Sequence, residues 1–161
     1  MKLTATSELR ISRTPHEVFE AIVDPAKMSH YFITWASARP EPGKVVTWKW
    51  GDVGAEGEIK VLEVEQDRRF SFTWFVAGED KRVDITVEPD DDDGAAVHVS
   101  DGPYESDAEG VAAFRGQVQG WTHFLLCLKA WVEHGVELRV GSITRAHRDE
   151  IAKAQREAVR S

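Results

Sequence analysis

Cysteine is almost missing. The chain has 161 residues and a single Cys, Cys127, so no internal disulfide can form and a secreted disulfide scaffold is excluded. A reducing, cytoplasmic setting is expected. Positive charge is also scarce: 20 Lys+Arg against 28 Asp+Glu give a net charge of −8. That balance does not suit a nucleic-acid backbone, which is bound by clustered Lys and Arg. No apolar run approaches the roughly 20 residues that span a bilayer, and the start, Met1 to Ser7, lacks the apolar stretch of a signal peptide. There is no internal repeat, and low complexity is confined to Asp90–Asp93. What is present is an ordinary globular composition, 42% hydrophobic and 30% charged, with six Trp. A chain of this size buries a substantial core.

The pattern along the chain changes period several times. Residues 3–12 alternate loosely and run into Thr14-Pro15-His16-Glu17. Thr14 suits an N-cap, Pro15 the first helical position, and Glu17 completes a capping box. The helix that follows has Val18, Phe19, Ile22 and Val23 as its apolar stripe. Asp24-Pro25 ends it and starts a short second helix to about His30. From Ile33 onward the period is two: Val46, Trp48 and Trp50; Ile59, Val61 and Val64; Phe70, Phe72 and Trp74; Val83, Ile85 and Val87; Val97 and Val99. The slip between Val61 and Val64 predicts a bulge at Leu62-Glu63. Polar turns at 65–68, 78–80 and 90–94 separate these runs, as in an antiparallel meander. Residues 101–110 read as a polar loop.

A long helix is predicted from about Ala113 to His134. Val118, Trp121, Phe124, Leu125, Leu128, Trp131 and Val132 form its broad apolar stripe, and Gly135 suits its C-cap. A meander with one apolar face needs a long apolar cover, and this helix is the one available. The order is therefore strand, two short helices, about six strands and one long helix, an α+β arrangement of about seven strands. Residues 1–140 read as one domain. Residues 141–161 read as a tail that is a marginal extra helix or a frayed end.

Three segments, TPHEVFEAIVDP at 14–25, FSFTW at 70–74 and GWTHFLLCLKAWVEHG at 120–135, resemble the SRPBCC (START-like, birch-pollen-allergen-like) superfamily. Within it they are similar to the branch named after the activator of the heat-shock-chaperone ATPase. The resemblance spans roughly residues 4–136. It implies a helix-grip fold, in which a curved sheet wraps the C-terminal helix around a deep apolar cavity. It also implies a small apolar or aromatic ligand, such as a lipid, sterol or polyketide, or cyclase-like chemistry on such a molecule. Eukaryotic chaperone activators carry a separate N-terminal domain, for which this chain has no room. Residues beyond Gly135 run past the family pattern.

The candidate ligand-binding residues follow from these patterns. Trp48, Trp50, Phe72 and Trp74 share the inward phase of the strands, and Trp121, Leu125 and Leu128 lie on the helix stripe. These seven either line a pocket for a flat apolar ligand or simply fill a core. His30 and Trp35 fall near the expected mouth, and Tyr104 lies in the polar loop. His30, Glu63 and Tyr104 are the polar residues on which an enzymatic alternative depends. His123 and Cys127, four apart on the long helix, adjoin each other but fall on its polar flank without a third metal ligand. Leu126, on the same flank, suggests cover by the tail or by a second subunit, the homodimer alternative. His98 points outward. The Asp run lacks the EF-hand spacing, and Gly51, Gly54 and Gly57 open no helix, so they are no dinucleotide fingerprint. No metal, cofactor, nucleic acid or membrane span is expected.

Overall fold

The two periodicities become two layers. The structure, a computed structural model, describes the backbone of residues 1–160 and the side chains of residues 1–158. Seven strands, β1 (Lys2–Ile11), β2 (Trp35–Ala36), β3 (Val45–Trp50), β4 (Ala55–Glu65), β5 (Arg69–Val76), β6 (Glu79–Asp90) and β7 (Gly94–Glu105), form one antiparallel sheet in the order β1-β7-β6-β5-β4-β3-β2. Helices α1 (Pro15–Val23) and α2 (Pro25–Met28) follow β1, α3 (Ala108–His134) crosses the concave face, and α4 (Arg145–Arg160) ends the chain. This is the helix-grip arrangement.

Local chemistry sets the element ends. The Thr14 hydroxyl accepts from the Glu17 amide at 3.2 Å, and the Glu17 carboxylate accepts from the Thr14 amide at 3.1 Å, the reciprocal capping box. Asp24 Oδ1 accepts from the Ala26 amide at 2.9 Å and starts α2. The β4–β5 register shifts between Val61 and Glu63, where the slip in period predicts a bulge. Gly135, at φ 66°, caps α3 in a left-handed conformation that costs glycine little.

The concave face buries Val46, Trp48, Ile59, Val61, Phe70, Phe72, Val83, Ile85, Val97 and Val99, while α3 contributes Trp121, Phe124, Leu125 and Leu128. Each large apolar side chain enclosed this way stabilises by roughly 1.5–3 kcal/mol. α3 packs mainly against β1 and β7, so its other flank faces the β3–β4 side of the sheet across a wider gap. Among the described residues no helix is long and apolar enough to cross a membrane.

Three sequence expectations are corrected. Residues 101–110 are not a loop: β7 continues to Glu105, paired with Lys2 of β1, and α3 begins at Ala108, capped by Asp107 through the Gly110 amide at 2.8 Å. The polar residues there are accommodated because Asp101 finds buried donors. Cys127, expected on a polar flank, is 1% exposed and joins the hydrophobic core cluster. Leu126 is 48% exposed, so the tail does not cover it.

Candidate functional site in the aromatic interior

Alternation on the strands and the stripe on α3 bring aromatic rings from both layers together. Trp48 packs on Phe72 with centroids 5.2 Å apart, and Phe72 on Trp74 at 5.7 Å. Trp74 reaches across to Trp121 on α3 at 5.3 Å. Most pairs meet edge to face, the arrangement favoured by the ring quadrupole. Phe32, just after α2, is the hub that sequence reasoning missed. It lies 5.5 Å from Trp48, 5.4 Å from Trp50 and 4.8 Å from Phe124, each nearly perpendicular. Its signal was weak, because one Phe between a short helix and a two-residue strand belongs to no periodic run. Trp48, Phe72, Trp121, Leu125 and Leu128 are buried, and Trp50 and Trp74 are partly buried against the same cluster. In this conformation side chains occupy the space between sheet and helix.

A carboxylate, Asp101, reaches the aromatic interior. Asp101 is fully buried. Tyr104 donates its hydroxyl to Oδ1 at 2.7 Å and the Trp121 indole donates to Oδ2 at 2.8 Å. Trp74 Nε1 is buried without a partner in good hydrogen-bond geometry, yet it is near enough to draw the carboxyl pKa down. Burial outweighs these donors and the Lys81 charge, so the Asp101 pKa is raised. The Tyr104 pKa is also raised, first by burial and then by Asp101. Lys81 is 4% exposed. Its ammonium donates to the Pro103 carbonyl and the Glu79 carboxylate, both at 2.7 Å, and stands 4.9 Å from the Tyr104 ring centroid. A cleft of about 130 Å³ between the β5–β6 turn and the start of α3 has Lys81 and Tyr104 in its lining. Asp101 was missed because it was assigned to a loop. The parity of Val97 and Val99 extends to position 101 and was the available signal.

The remaining candidates lie apart from this cluster. His30 stacks on Trp131 at 4.7 Å and meets Glu137 through Nδ1 at 2.5 Å. Trp35 is 49% exposed on β2, beneath the Lys49 ammonium at 4.9 Å from its centroid. Glu63 is exposed and faces Arg69 at 3.7 Å and Arg82 at 3.9 Å. His98 meets Glu8 at 3.2 Å on the outer face.

His123 Nε2 lies 3.5 Å from Cys127 Sγ and 3.0 Å from Ser142 Oγ. This is not an activated nucleophile. Burial raises the thiol pKa and lowers that of the imidazole, so the neutral forms are favoured. Ser142 donates its hydroxyl to the Arg139 carbonyl at 2.5 Å, and among the described residues no carboxylate orients the ring. The described residues contain no group of three or more His, Cys, Asp or Glu side chains placed to hold a metal ion.

A curved sheet gripping one long helix over an aromatic interior defines the SRPBCC class of domains. Residues 12–133 match the family described as Activator of Hsp90 ATPase homolog 1-like protein, and the chain belongs to that family. Its fold is similar to that of SSP2350 from Staphylococcus saprophyticus, with a TM-score of 0.76 and 28% identity over 85% of this chain and 96% of that one. It is similar to the Aha1 dimer from Colwellia psychrerythraea, with a TM-score of 0.71 and 14% identity over 83% of this chain and 98% of that one. It is also similar to CalU16 from Micromonospora echinospora, with a TM-score of 0.65 and 16% identity over 100% of this chain and 98% of that one. No curated protein matches the chain by sequence.

Proposed function

We propose that the protein binds a small, flat, hydrophobic ligand between the sheet and α3, at Trp48, Trp50, Phe72, Trp74, Trp121, Leu125 and Leu128. The observation that carries this reading is the meeting of Trp74 and Trp121 across the two layers, with the Trp121 indole donating to a buried carboxylate. A wall of aromatic carbon with a few fixed polar groups is the composition of small-molecule sites. His30 and Trp35 are read as rim residues, and Tyr104 as the positioner of Asp101. Asp101 accepts one donor on each oxygen and keeps acceptor capacity, so it serves as a polar anchor, and the enzymatic reading ranks below binding. The cell compartment consistent with one buried, unpaired thiol is the cytoplasm.

Because the rings now fill the interior, binding requires them to part. The test is titration with an apolar fluorophore such as anilinonaphthalene sulfonate, read by energy transfer from the tryptophans, together with native mass spectrometry of protein isolated from cells. Saturable uptake at one site, weakened by Trp50→Ala, is expected. No saturable uptake overturns the reading. A second reading, a homodimer, is favoured by the exposed Leu126, Val136, Leu138 and Val140. Light scattering tests it, and a monomer at high concentration removes it.

A further inference from the structure

Beyond His134 the chain reverses and runs back along α3. Gly135 makes the reversal, and Ser142 reaches His123, about three helical turns before the end of α3. Between these points the side chains of residues 136–142 are arranged opposite to those of a core segment. Val136, Leu138 and Val140 are 47%, 48% and 70% exposed. The one buried residue of the segment is charged: Arg139 turns toward the protein, while Glu137 stays exposed beside it. Glu137 meets His30 at 2.5 Å, and Arg139, only 8% exposed, meets Asp52 at 2.5 Å in the turn between β3 and β4. Further on, the Gln155 side chain accepts from the Glu56 amide and donates to its carbonyl, both at 3.2 Å. The segment therefore bridges α3 and the β3–β4 hairpin on the flank opposite β1 and β7, two residues past Trp50. Cys127, buried at the edge of the core cluster, adjoins the segment through His123, whose Nε2 lies 3.5 Å from Cys127 Sγ and 3.0 Å from Ser142 Oγ. A segment held by polar side-chain contacts, with its apolar side chains outward, releases with far less loss of burial than one anchored in a core.

We propose that residues 136–142 are a releasable strap, latched by Arg139–Asp52 and Glu137–His30, whose opening admits the ligand to the aromatic interior. The gating half rests on the ligand reading above; the release half stands on the strap alone. Cys127, the one cysteine, reports release directly. In the full-length protein, alkylation of Cys127 by a maleimide under native conditions measures how often the strap lifts. Asp52→Asn and, independently, wild-type protein in about 1 M salt are expected to label about tenfold faster. Leu138→Ser, which alters only the outward side, is expected to label at the wild-type rate. Stopped-flow association of anilinonaphthalene sulfonate is expected to accelerate by a similar factor in Asp52→Asn. Unchanged labelling in both Asp52→Asn and high salt overturns the strap. Faster labelling with unchanged dye association overturns the gate. Faster labelling with no dye uptake by any form overturns the ligand reading, and the gate with it, while release stands.

Discussion

Helix α3 is covered on two flanks by opposite chemistry. Toward the sheet it meets aromatic rings and the Asp101 carboxylate, whose partners are themselves buried. Toward the β3–β4 hairpin it is covered by residues 136–142, held by Arg139–Asp52 and Glu137–His30 with valine and leucine facing out. The first flank gains stability from area removed from water, which ionic screening does not weaken. The second gains from a few charged contacts, which are individually modest and sensitive to salt. One flank fixes the fold; the other leaves a removable cover beside it. The contrast breaks if substitutions on the two flanks have similar costs.

The largest effect belongs to the sheet flank. Trp121→Ala removes a ring 3% exposed and the donor to Asp101 Oδ2. Destabilisation by about 3–5 kcal/mol is expected, read as a lowered denaturation midpoint with an unchanged m-value. Asp101→Leu comes next. It leaves the Tyr104 hydroxyl and the Trp121 indole without their acceptor, a cost of about 2–3 kcal/mol. Asp101→Asn removes the titrating charge, keeps an amide oxygen as acceptor and places a donor at the other position. Because the folded pKa of Asp101 is raised, the folded protein holds that proton more tightly than the unfolded chain. Its contribution is therefore complete below the ordinary carboxylate range and is lost as pH rises through the raised folded value. The advantage of wild type over Asp101→Asn is thus expected to shrink as pH rises through and above the ordinary carboxylate range, measured by urea denaturation at each pH. A difference that grows over this interval contradicts the burial argument.

What could be read from the sequence divides along the same line. The strands, the capping box at Thr14 and the apolar stripe of α3 are periodic or carry fixed spacing, so the sequence alone puts Trp48, Phe72, Trp74 and Trp121 on facing layers. Asp101 was misread because a carboxylate next to Gly102-Pro103 looks like a turn. Its burial depends on donors from Tyr104 and from Trp121, twenty residues away. Cys127 falls on a polar flank by helix geometry alone, which does not show the core cluster that encloses it. The strap itself could not be read, since Val136, Leu138 and Val140 alternate as a buried strand would, yet face solvent. Periodicity reports which residues share a face; the long-range partner decides whether that face is inside.

The strap flank supplies the smaller effects. Asp52→Asn leaves Arg139, 8% exposed, without its carboxylate, and a cost of about 1–2 kcal/mol is expected in low salt, diminishing in high salt. Leu138→Ser is the sharpest comparison, because leucine buried in a core costs about 2–5 kcal/mol when truncated. Here the side chain is 48% exposed, on a segment whose inward contacts come from its neighbours. A change within about 0.5 kcal/mol is expected. Calorimetry of Leu138→Ser beside Trp121→Ala measures both flanks on one scale. If Leu138→Ser destabilises as a core truncation does, its side chain is covered in solution, which turns the outward face of the strap from a cover into an interface.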